Sequence, residues 1–145
     1  MKIRILFAII LLSIANITFA VEEKVINENE LPNKVQRFIH TYFPEVHIIT
    51  VIEKQKSFYL RTTDGKEFTF NQDGNWINVD CRSERVPSPL VPSPILNVVA
   101  KRYGTSARVV QINITKKGSF HLELSNYVRL KFDKHYHLVK GKKII

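Results

Sequence analysis

One arrangement of apolar residues occurs twice, and it restricts what this chain can fold into. Leu31, Val35, Phe38, Ile39, Tyr42 and Phe43 advance by four, three, one, three and one, the stripe of an amphipathic helix. Sixty residues later the stripe returns as Val91, Ile95, Val98, Val99 and Tyr103, with Arg102 in place of Tyr42. Pro32 and Pro92 suit a helix's first turn, where no backbone N–H is needed. Pro44 cannot continue the first helix, and Gly104 ends the second. Ser93-Pro94 reads as an N-cap and first turn, which predicts a slightly later start for the second helix.

Behind each stripe the period falls to two. Ile48, Thr50 and Ile52 alternate in a first strand, and Phe58, Leu60 and Thr62 in a second. Phe68 and Phe70 mark a third, and Trp76 to Val79 a fourth. Asp64-Gly65 and Asp73-Gly74 supply the turns, since glycine accepts a positive φ. The second half repeats the series as Val110-Ile112-Ile114, Phe120-Leu122-Leu124, Val128-Leu130-Phe132 and Tyr136 to Val139, now offset by sixty-two. One unit buries a helix stripe and a sheet face poorly, whereas two can share a sheet. The expectation is an α+β fold. Two tandem helix-plus-four-strand repeats form one antiparallel sheet, with the helices packed on one face. Repeat one covers 31–80, a proline-rich connector 81–94, and repeat two 91–140, within a single domain over 31–145.

Residues 1–20 read as a signal peptide. Lys2 and Arg4 precede the apolar run Ile5 to Leu12, and Thr18-Phe19-Ala20 offers small residues for cleavage. The run is too short for a membrane span. The chain is therefore expected to be periplasmic or secreted after cleavage near Ala20, with no transmembrane span. Residues 21–30, with four Glu and one Lys, read as an acidic flexible leader. Charge is otherwise unevenly placed. Residues 31–80 balance six bases against six acids, while residues 91–145 set eleven Lys and Arg against Glu123 and Asp133 alone.

The order Leu31-Pro32, Phe38-Ile39, Tyr42-Phe43-Pro44, then Asp64 to Phe70, then Gly74-Asn75-Trp76 and Val79-Asp80-Cys81 resembles the PepSY-like proteins of Gram-negative envelopes. These are also described as similar to beta-lactamase-inhibitor protein. The resemblance spans residues 31–140 and includes Val86-Pro87 and Ile95. It implies the same doubled α+β architecture, a periplasmic location and no catalytic residues. Inhibitor proteins of this architecture bind an enzyme through the exposed sheet face and loops. The second half departs from the pattern at Gly104 and at Asn126-Tyr127, which replaces the Asp-Gly turn.

Chemistry-bearing residues are sparse. Cys81 is the sole cysteine, so no internal disulfide forms. It could act as a nucleophile with a histidine partner, but the sequence shows no flanking Gly-rich elbow and no identifiable oxyanion donor; packing explains it better. His135 and His137 would share a strand face, but no third ligand is spaced to help them. Asp64, Asp73 and Asp80 each stand alone, whereas a calcium loop gathers several oxygens. No metal or cofactor is expected. The outward strand positions say more. Tyr59, Arg61 and Thr69 in the first half, and His121, Glu123, Tyr127, Arg129 and Lys131 in the second, form a candidate partner-binding face, basic and aromatic. The expected function is a non-enzymatic binding or inhibitory module that recognises another envelope protein or an anionic ligand. Alternatives are a structural envelope protein without a specific ligand, or a Cys-dependent hydrolase. Export argues against nucleic acid as a partner.

Overall fold

A single row of side chains crosses almost the whole sheet and decides its packing. Val51, Leu60, Phe68, Val79, Ile112, Leu122 and Leu130 lie directly opposite one another in succession on seven neighbouring strands. None is more than 4% exposed. Each such side chain contributes about 1.5–3 kcal/mol by leaving water.

The computed structural model describes residues 22–145. The signal peptide expected over 1–20 lies outside the described residues. The elements are β1 (Lys24–Val25), α1 (Asn33–Tyr42), β2 (Ile48–Lys54), β3 (Ser57–Thr62), β4 (Glu67–Asn71), β5 (Trp76–Asp80), α2 (Ser93–Tyr103), β6 (Val109–Ile114), β7 (Phe120–Leu124), β8 (Val128–Phe132) and β9 (Leu138–Lys143). All nine strands form one sheet in chain order, and every neighbouring pair is antiparallel. Val35 and Ile39 of α1, and Ile95 and Val99 of α2, join the same apolar cluster as the strand row. Phe38 meets Phe70 edge-on at 5.2 Å between ring centroids, and Phe43 lies 4.7 Å from Phe68.

Both helices start the same way. Pro32 O accepts from the N–H groups of Val35 and Gln36, and Pro92 O from those of Ile95 and Leu96. Ser93 is thus the first helical residue and not the cap, and α2 begins level with α1. The later start expected for α2 is corrected: Pro92 supplies the extended φ and ψ that precede a helix, and Pro94 fits inside the first turn.

Two further expectations change. The leader over 21–30 is folded from Lys24 onward. Val25 pairs with Ile52, Ile26 N–H donates to Val51 O at 3.1 Å, and Ile26 and Leu31 are buried. Ile26 and Leu31 supply the buried contacts, and Val25, itself exposed, adds backbone pairing at the edge of β2. In β2 a bulge at Ile49 shifts the register, so Val51 enters the core while Thr50 and Ile52 face away from it. β6 carries the corresponding bulge at Val110. The connector is anchored as well. Cys81 N–H donates to Val110 O and Val86 N–H to Val109 O, and Cys81, Val86, Leu90 and Val91 are buried.

The turns show where the two halves differ. Gly65 and Gly74 hold φ of +83° and +78°, and their counterparts in the second half are Tyr127 at +61° and Tyr136 at +67°. A left-handed conformation costs a residue with a Cβ about 1–2 kcal/mol. Tyr127→Gly should therefore raise stability by about 1 kcal/mol, and Gly65→Ala should lower it by a similar amount. Urea denaturation midpoints of the two variants check this.

Candidate functional site

The sheet face opposite the apolar row carries two polar rows. One runs Ile52, Tyr59, Thr69, Asn78, Asn113, His121, Lys131, Lys140. The other runs Thr50, Arg61, Glu67, Asp80, Gln111, Glu123, Arg129, Lys142. Alternation alone places them there, because each strand sends every second side chain to this face.

Seven of the eight residues anticipated for this face occupy these rows. Tyr59, Arg61 and Thr69 stand on β3 and β4. His121, Glu123, Arg129 and Lys131 stand on β7 and β8, with the polar residues of β5 and β6 between the groups. Tyr127 is the exception: it sits in the β7–β8 turn with positive φ and is 55% exposed. The turn displaces it because Asn126-Tyr127 occupies the positions of Asp64-Gly65.

The second-half part of this face is hollowed. A depression of about 470 Å³ is lined by Gln111, Asn113, His121, Leu122, Glu123, Arg129, Leu130, Lys131, Lys140 and Lys142. Lys131 stands directly opposite Lys140, and Arg129 directly opposite Lys142. Like charges facing across a strand pair destabilise it. Arg129 has one compensating contact, Nε to the Glu123 carboxylate at 3.2 Å. Lys131, Lys140 and Lys142 make no ion pair among the described residues. Lys140 and Lys142 were missed as members of this face because the end of the chain reads as a basic tail. The signal is present as Val139-Lys140-Gly141-Lys142, an alternation that continues β9.

The first half is neutralised within itself. Arg82 reaches back from the connector, donating from Nε to Gly65 O at 2.6 Å and from Nη2 to the Glu67 carboxylate at 2.7 Å. The Tyr59 hydroxyl is held above its ordinary pKa, first by burial and then by the neighbouring Glu67 carboxylate.

The remaining titratable cluster is structural. Lys66 is buried, with Nζ against the Asp64 carboxylate and 3.1 Å from that of Glu84. Burial pulls its pKa down, but the hydrogen bonds to Asp64 and Glu84 outweigh that and leave it raised. Asp64 is lowered to about 2, chiefly by its hydrogen bond from Lys66 and then by that from Thr62. The cluster ties the β3–β4 turn to the connector. Cys81 is 1% exposed, and burial pushes its thiol up to about 12. Burial of this kind favours the protonated thiol at neutral pH over the thiolate that nucleophilic chemistry needs. Asp133 is held low by the N–H groups of His137 and His135, which makes it a turn former. Among the described residues no three His, Cys, Asp or Glu side chains gather as a metal site requires.

The family model described as "Putative beta-lactamase-inhibitor-like, PepSY-like" matches residues 19–61 and 60–140. A solved structure from Bacteroides vulgatus, described as "a putative periplasmic protein", is 29% identical. It superposes with a TM-score of 0.79 over 85% of this chain and 98% of its own. A Bacteroides thetaiotaomicron structure, described as "a putative calcium-regulated periplasmic protein", is also 29% identical, with a TM-score of 0.76 over 83% and 96%. A second from Bacteroides vulgatus, described as periplasmic and "of unknown function", is 27% identical, with a TM-score of 0.77 over 83% and 99%. No curated protein matches the chain.

The Asp64–Lys66 contact has a pH signature. An unfolded Asp titrates near about 3.9 and the folded Asp64 near 2. Its contribution is complete above about pH 4 and fades as pH falls towards 2. Asp64→Asn should be less stable than the parent chain at pH 7 and close to it at pH 2, as read from urea midpoints at both pH values. Asp64 is 45% exposed, so the difference falls below that of a fully buried pair.

Proposed function

The chain belongs to the PepSY-like family, and on that premise we propose that it is a non-enzymatic periplasmic binding module whose outer sheet face recognises an anionic partner. The scaffold is a doubled helix-plus-four-strand unit, with both helices covering the apolar face and the opposite face left for recognition. The place of action is the periplasm. Three relatives are described as periplasmic, residues 1–20 carry an export pattern, and no helix of the described residues is long and apolar enough to cross a membrane.

One observation carries the reading. Four cations stand as two directly opposed pairs, Lys131 with Lys140 and Arg129 with Lys142, and all four line one depression. Stability of the strand pair is not served by like charges placed directly opposite each other. An anion seated between them turns two repulsions into four attractions, and a hollow surface strengthens each by limiting the water around it. The family description supports an inhibitory form of the same act, in which the anion belongs to the enzyme bound. Calcium regulation, which belongs to one relative's description, finds no matching acidic cluster among the described residues. The buried, protonated thiol of Cys81 supports binding over thiol catalysis.

The test is binding to dextran sulfate, followed by fluorescence anisotropy as salt is raised. The parent chain should bind, with affinity falling steeply with salt. Arg129→Glu with Lys131→Glu should weaken binding at least about tenfold while leaving the circular dichroism spectrum unchanged. Equal binding by the parent and the reversed variant would remove the face from the proposal.

A further inference from the structure

We infer that the free edge of β9 accepts an extended acidic segment of a partner protein as an added strand, with the partner's carboxylates paired to Lys140 and Lys142. This rests on the reading of the outer face as an anion-binding surface and narrows the partner to a polypeptide.

β9 is the last strand of the sheet and pairs only with β8. Five of its six residues are exposed. Its far side therefore presents backbone N–H and C=O groups with no strand beside them, a template for another chain. The strand is held at its end, because pairing continues beyond Lys143 through the N–H of Ile144 to Tyr127 O. At the other end a bulge leaves Val139 59% exposed at the same edge, an apolar contact for an incoming residue.

Lysines on an edge strand ordinarily keep other strands away. Here the guard has a sign. It repels a second copy's β9, which carries the same cations, and it attracts an acidic strand. The spacing fits as well. Lys140 and Lys142 are two residues apart, so they repeat at about 6.8 Å, and any extended peptide repeats its own alternate side chains at that distance. A peptide lying about 4.8 Å beyond β9 brings alternate carboxylates directly opposite the two lysines. Its backbone meanwhile pairs with the open edge, the strand-addition mode of peptide recognition. A sulfated polysaccharide or a lipid headgroup could neutralise the lysines but would leave the strand's backbone without partners. That difference favours a polypeptide.

The experiment compares three acetylated peptides by titration calorimetry and by amide exchange of the isotope-labelled protein. The first alternates glutamate and valine. The second has the same composition with the glutamates in one block. The third repeats the first with alternate backbone nitrogens methylated. The alternating peptide should bind at least about tenfold more tightly than either of the others, and it should slow exchange of the β9 amides that do not bond to β8. Lys140→Glu with Lys142→Glu should weaken it by a similar factor with the fold intact. Equal affinity for all three peptides, or binding without protection of β9, overturns strand addition and leaves a purely electrostatic face. Failure of every peptide while dextran sulfate still binds overturns the polypeptide partner alone. Failure of dextran sulfate as well overturns the anion-binding reading beneath it.

Discussion

The pairing of β5 with β6 is what makes nine strands one sheet. It consists of three residue pairs, Asn78 with Asn113, Val79 with Ile112, and Asp80 with Gln111. The middle pair is fully buried on both sides. It continues the apolar row from Phe68 to Leu122, so the core of one half runs into the core of the other without a break. On the opposite face Gln111 Nε2 donates to Asn78 Oδ1 at 3.2 Å, and the seam is closed there by a polar contact. The Val79–Ile112 contact joins the buried side chains on either side of the seam into one core.

Much of this architecture was legible because apolar spacing is a local signal. The stripe from Leu31 to Phe43 and the alternations around Leu60, Phe68, Leu122 and Leu130 translate directly into buried side chains. The strands missed or misplaced have equally physical explanations. β1 has two residues among acids, and its pairing to β2 depends on Ile26 and Leu31 docking, which no alternation announces. A bulge at Ile49 reverses the parity of β2 after it, so Ile48 and Ile52, which a strict two-residue reading puts on one face, lie on opposite faces. β9 was placed only in part: the sequence marks a strand over Tyr136 to Val139, whereas the strand runs Leu138–Lys143, because Lys140, Lys142 and Lys143 read as solvated, although Gly141 between them makes room for the Tyr103 hydroxyl.

The candidate site was legible only in part for the same reason. Residues that alternate within a strand can be assigned to a face from sequence. The depression, however, joins side chains of β6, β7, β8 and β9 whose register is a tertiary fact. His121, Glu123, Arg129 and Lys131 were accessible to sequence reasoning, but their alignment with Lys140 and Lys142 was not. Tyr127 was misplaced although Asn126-Tyr127 aligns with the Asp64-Gly65 turn, because a tyrosine rarely takes the left-handed conformation that position requires. The same asymmetry separates the two halves. In the first, Arg82 is consumed by Glu67 and Gly65, and Lys66 by Asp64 and Glu84. In the second, three of the four cations around the depression make no ion pair among the described residues.

Strand order also governs how such a chain can assemble. Every strand pairs with its neighbour in sequence, and most contacts close loops of only a few residues, an arrangement associated with rapid folding. Two closures are longer: β1 to β2 around α1, and β5 to β6 around the connector and α2. The second carries the greater entropic burden, and in it four prolines between Pro87 and Pro94 stiffen the path the chain must take. The connector thus narrows the search for the seam before any side chain of Val79 has met Ile112.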